Sequence, residues 1–95
     1  MKTPAARRAL RAIIRRHYAG SQADFSRACG LDTADTSRVV VGTRPATFGF
    51  VRRVARVLDE DAAAKLIAAF LSDVSTELSA DFAVTVAIQP KRRAT

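Results

Sequence analysis

Cysteine, histidine and long apolar runs are what this chain has least of. Cys29 is the only cysteine among 95 residues, so an internal disulfide is excluded, as is any cysteine-based metal cage built by one chain. A lone thiol points to a reducing, cytoplasmic setting, and the expected place for Cys29 is the core, as a small hydrophobe. His17 is the only histidine and has no companion donors, so it reads as a helix-closing residue rather than a metal ligand or proton shuttle. The serines lack a histidine–carboxylate pattern and the glycines lack phosphate-loop spacing. Neither an enzyme nor a cofactor is expected. No run approaches the ~20 apolar residues that span a bilayer, and Arg11, Arg15 and Arg16 interrupt the first apolar stretch. A soluble protein that no membrane holds through a spanning segment is therefore expected.

Acids are scarce in the first half of the chain. Residues 1–58 hold twelve Lys and Arg against Asp24, Asp32 and Asp35 only, within a formal net charge of +7. Residues 59–81 reverse this, with Lys65 against six acids, and Lys91, Arg92 and Arg93 restore the positive sign at the end. A basic half favours a polyanion, because each phosphate neutralised releases condensed counterions. On composition alone nucleic acid and anionic membrane are tied, and the acid-free, Arg-rich residues 1–23 also resemble an organelle transit peptide.

What is present suffices for one modest core, since 48 % of the residues are hydrophobic and 95 residues are too few for two domains. Thr3 and Pro4 read as N-cap and first position of a cationic amphipathic helix with Leu10, Ile13, Ile14 and His17 or Tyr18 inward, stopping at Gly20. Ser21 and Asp24 resemble a capping box for a short helix through Phe25, Ala28 and Cys29 that ends at Gly30. Asp32 caps a second short helix containing Val39 and Val40, closed by Gly42. Pro45 makes a loop, and Thr47 opens a fourth helix from Phe48 to about Leu58 with Val51, Val54 and Leu58 inward.

Leu66, Ile67, Phe70, Leu71, Val74 and Leu78 recur at helical spacing and predict a fifth helix from residue 60 to between 72 and 78. From Phe82 the period becomes two, with Phe82, Val84, Val86 and Ile88 on one face, which predicts a single β-strand ended by Pro90. A solitary strand leaves its backbone unpaired, so pairing with the same strand of a second copy is expected. Phe70 and Val74 extend that apolar surface, and the basic residues 91–95 read as a solubilising tail.

Two short helices about a tight turn, in a cationic helical domain, form the arrangement that lays one helix in the DNA major groove. The run Ser21-Gln22-Ala23-Asp24-Phe25-Ser26, then Gly30-Leu31, then Ser37-Arg38-Val39-Val40-Val41-Gly42 resembles the phage-repressor-like helix-turn-helix family, of the Cro and XRE type, over residues 21–58. Ser26 stands where that family prefers Ala, Thr36 where it prefers Val or Ile, and Val41 where it commonly has a polar phosphate ligand. The resemblance implies a mainly α, five-helix lambda-repressor-like domain at residues 1–78, followed by the strand and tail at 79–95 as a dimerisation element.

The resemblance also implies that Thr33, Ala34 and Arg38, with Asp35 and Ser37 nearby, face base edges. Their chemistry suits this: Arg can grip guanine O6 and N7, Thr both donates and accepts, and Ala fits a thymine methyl. For Arg38 a phosphate contact stands equally open. Asp35 either accepts from cytosine N4 or, more simply, caps the Asp32 backbone. Gln22 resembles the family's phosphate-clamping glutamine, and Ser21, Thr43, Arg44 and Thr47 complete the expected backbone grip, while Arg52 and Arg53 read as solvated surface.

The implied function is a sequence-specific regulator, a repressor or autoregulator, that binds double-stranded DNA as a homodimer on an inverted repeat. Three rivals accompany it. One is an antitoxin or anti-CRISPR-associated regulator that also binds a cognate protein. Another is an interaction module that no longer reads DNA, and a third has the first helix lying on a membrane surface.

Overall fold

The computed structural model describes residues 3–83, in which five helices follow one another: α1 (Ala5–Tyr18), α2 (Gln22–Cys29), α3 (Thr33–Val41), α4 (Phe48–Val57) and α5 (Glu60–Leu78). The apolar positions spaced three and four apart converge on one core of Leu10, Ile13, Ile14, Phe25, Cys29, Val39, Val40, Val51, Val54 and Leu66. α5 lies against α1 and α4, and α2 is wedged among α1, α3 and α4. α3 packs only on α1 and α2 among the described residues. That one-sided support leaves its other face to solvent.

The helix boundaries expose how side chains set them. Ser21 Oγ accepts from the Asp24 amide at 3.2 Å and Asp32 Oδ1 from the Ala34 amide at 2.7 Å, so both short helices begin where a capping oxygen is available. Thr47 and Asp59 cap α4 and α5 in the same way. α1 departs from expectation: Pro4 is its N-cap, no local side chain caps it, and Thr3 plays no such part. Instead Asp73, from α5, accepts from the Ala5 and Ala6 amides at 2.7 and 2.9 Å. A carboxylate at a helix N-terminus complements the dipole as well as two orphan donors, so this contact also ties α5 across α1. The other end of α1 stops one residue early, with Ala19 rather than Gly20 as its left-handed C-cap.

Exposed His17 faces away from the core, and Tyr18 takes the inward place, its ring edge-on to Phe25 with centroids 5.4 Å apart. Cys29 is buried, and its burial pushes the thiol up to about 11, which makes it inert at neutral pH. Leu58, expected inside α4, is its C-cap and packs at the edge of the core.

α5 runs its full expected length, yet only Leu66 on it is buried; Phe70, Leu71 and Val74 are half-buried and Leu78 is exposed. Of the expected strand, Phe82 lies in a turn in which its amide donates to the Leu78 carbonyl at 2.9 Å, and the residue is 62 % exposed. No strand occurs among the described residues. Val84, Val86, Ile88 and the basic tail lie outside them. No helix among the described residues is long and apolar enough to cross a membrane.

Candidate nucleic-acid interface

Three residues, Gly30, Leu31 and Asp32, separate α2 from α3. Gly30 turns the chain at φ +66°, and the Leu31 amide closes back on the Ser26 carbonyl at 2.8 Å while its side chain packs against the core. Arg53, expected to be mere surface, donates from α4 to the Gly30 carbonyl at 3.1 Å. The turn is thus held from both sides.

α3 has two faces. Thr36, Val39 and Val40 are buried, whereas Thr33, Ala34, Arg38 and Val41 are exposed and Ser37 is half-buried. Positions 33, 34, 37, 38 and 41 share one stripe of a helix, because they are separated by one, three or four residues. Four of the five expected base-facing residues therefore lie together on one solvent-facing surface, joined by Val41.

Asp35 is the exception. Its carboxylate does not turn back to cap the Asp32 backbone; Oδ1 accepts instead from Arg38 Nη1 at 3.2 Å and Arg44 Nη1 at 2.6 Å. The expectation of capping is corrected here, because the two guanidinium groups offer the Asp35 carboxylate stronger, charged donors than the Asp32 amide. These side chains remain half-exposed, at 43 % for Asp35, 54 % for Arg38 and 49 % for Arg44.

The buried side of α3 explains two departures from the resembled family at once. Ser26 and Thr36 are both fully buried, and Ser26 Oγ donates to Thr36 Oγ1 at 2.7 Å, while Thr36 Oγ1 donates to the Asp32 carbonyl at 3.2 Å. Each hydroxyl supplies what the other needs, so the pair replaces an apolar contact without leaving a buried polar atom unpartnered.

The carboxyl end of α3 is gathered on a single oxygen. The Arg38 carbonyl accepts from the Gly42, Thr43 and Arg44 amides at 2.9, 3.0 and 3.3 Å and from Thr43 Oγ1 at 3.3 Å. Gly42 has φ +97°, a left-handed conformation that favours glycine, and a Cβ there would come within 2.6 Å of the Arg7 guanidinium, the far end of a side chain that would have to shift. Arg7 Nε donates to the Val40 carbonyl at 2.8 Å. Arg7, one of the arginines of the cationic first helix, is a brace from α1 that fixes the end of α3. No local signal could reveal it, since its partner lies 33 residues away.

The expected phosphate-facing residues differ in what they have left to give. Ser21 Oγ and Thr47 Oγ1 accept from backbone amides, which leaves each hydroxyl proton available to an incoming anion. Thr43 spends its proton on the Arg38 carbonyl. Gln22 is half-buried at the start of α2, where the first-turn amides point outward, and Arg44 is committed to Asp35.

Comparisons of the chain with protein-family models, curated proteins and solved structures found no match. No group of three acidic, histidine or cysteine side chains able to hold a metal occurs among the described residues.

Proposed function

We propose that the protein is a sequence-specific DNA-binding transcription regulator of the phage-repressor-like helix-turn-helix type, with α3 lying in the major groove. The observation that carries this reading is the stripe of Thr33, Ala34, Ser37, Arg38 and Val41. It stands exposed on a helix whose opposite side is buried on α1 and α2, in a chain of net charge +7. A helix presented in this way fits the groove, and its side chains match base edges: Arg38 a guanine, Thr33 and Ser37 donors or acceptors, Ala34 a thymine methyl. The first-turn amides of α2 and α4, with Gln22 and the hydroxyls of Ser21 and Thr47, supply the backbone grip on either side.

Self-association completes the reading. The apolar edge of α5, from half-buried Val74 to exposed Leu78 and Phe82, with Phe70 packed against the core behind it, continues into a sequence alternating through Val84, Val86 and Ile88. Two copies joined there would have to hold their α3 helices ~34–36 Å apart, the spacing of one duplex turn, to read an inverted repeat.

Selection of bound sequences from a random duplex pool at stated salt tests the proposal. The expected outcome is an inverted repeat, whose discrimination at one position per half-site falls by ~1–3 kcal/mol in Arg38→Ala. Equal binding to every duplex in the pool would sink it.

A further inference from the structure

We infer that Asp35 is a specificity-determining residue, one that keeps Arg38 and Arg44 from gripping phosphates indiscriminately while leaving Arg38 able to read a base. This rests on the reading of α3 as a groove-facing helix. One carboxylate oxygen holds both guanidinium groups, at 3.2 Å for Arg38 and 2.6 Å for Arg44, although the two arginines come from different segments, the helix itself and the loop beyond Gly42. Together the three side chains carry one positive charge instead of two.

The consequence differs between the two kinds of DNA contact. A phosphate approaching Arg44 must displace the 2.6 Å bond or lie beside the Asp35 carboxylate, a like charge. A guanine edge is neutral and offers two acceptors. Arg38 has five N–H donors in a planar fork, so it can leave Nη1 on Asp35 and present others to O6 and N7. The carboxylate thus opposes backbone-only binding more than base reading, which separates partners by repulsion as well as by attraction. Because all three side chains are half-exposed, the ion pairs contribute little to folding, and their removal leaves the domain intact.

Asp35→Asn in the full chain tests the inference, since Asn keeps the size and removes the charge. The parent and the variant are titrated with a random-sequence duplex and with the duplex selected by the parent, each over a range of salt, and their thermal melting is compared. The variant is expected to melt with the parent and to bind the random duplex several-fold more tightly. Its log affinity against log salt should steepen by ~1, the signature of one additional phosphate neutralised. The selected duplex gains less, so the ratio of the two affinities falls, and adding Arg44→Ala to Asp35→Asn returns the salt slope to the parent value.

Unchanged random-duplex affinity and slope in a variant whose parent binds DNA would overturn the role of Asp35 and spare the proposed function. Loss of binding to both duplexes with unchanged melting would overturn it too, since Asp35 would then only orient its arginines for binding. A parent that binds no duplex overturns the functional reading itself and this inference with it.

Discussion

Thr36→Val tests the buried hydroxyl pair behind α3 in a way that packing alone would not predict. Valine has almost the shape of threonine, so the cost falls on Ser26, whose donor loses its acceptor at 2.7 Å in a site where both side chains are fully buried. An orphaned buried hydroxyl costs ~1–3 kcal/mol, with the lower end reached when the serine turns back to a carbonyl in its own helix. Ser26→Ala is milder. Thr36 still donates to the Asp32 carbonyl at 3.2 Å, and deleting one bond without orphaning a donor costs about 1 kcal/mol.

The double variant removes donor and acceptor together and installs the Ala and Val that the resembled family prefers. Its cost is expected to fall below that of Thr36→Val alone, giving a coupling of about 1–2 kcal/mol in the double-mutant cycle. Urea unfolding followed by far-UV circular dichroism measures all four proteins, and in a domain of this size 1 kcal/mol corresponds to a Tm shift of about 4–8 °C. Costs that add within about 0.5 kcal/mol would refute the reasoning, because independent hydroxyls need no partner in each other.

Two further outcomes follow from groups that the fold, not the local sequence, has placed. Asp73→Ala removes both acceptors from the Ala5 and Ala6 amides and is expected to lower stability by ~0.5–2 kcal/mol, as loss of a helix cap does; Asp73→Asn falls between, and thermal unfolding with amide exchange along α1 reports it. Burial raises the Cys29 thiol from an ordinary value near 9 to about 11, so the native state holds its proton where the unfolded chain has lost it. Stability from this group is full below pH 9 and declines as pH rises toward about 11, a slope that denaturant titrations should find flattened in Cys29→Ala.

The five helices, the caps of α2, α3 and α4 and the composition of the core were legible in the sequence, because each depends on residues within a few positions of one another. An apolar stripe at three- and four-residue spacing identifies its own helix, and Ser21, Asp32 and Thr47 reach amides two or three residues ahead. The exposed stripe of α3 was legible for the same reason: a helix that buries Thr36, Val39 and Val40 must turn Thr33, Ala34, Ser37 and Arg38 outward.

What tertiary structure alone decided are the contacts between residues far apart in the chain. Asp73 caps a helix that begins 68 residues earlier, Arg7 braces Val40, and Ser26 finds Thr36 across the turn. The role of Asp35 was misread on local grounds, as a cap, because its second partner, Arg44, comes within 2.6 Å only after the chain has turned at Gly42. Spacing along a chain determines which face a side chain occupies; which charge or hydroxyl it meets there is settled by how the helices pack.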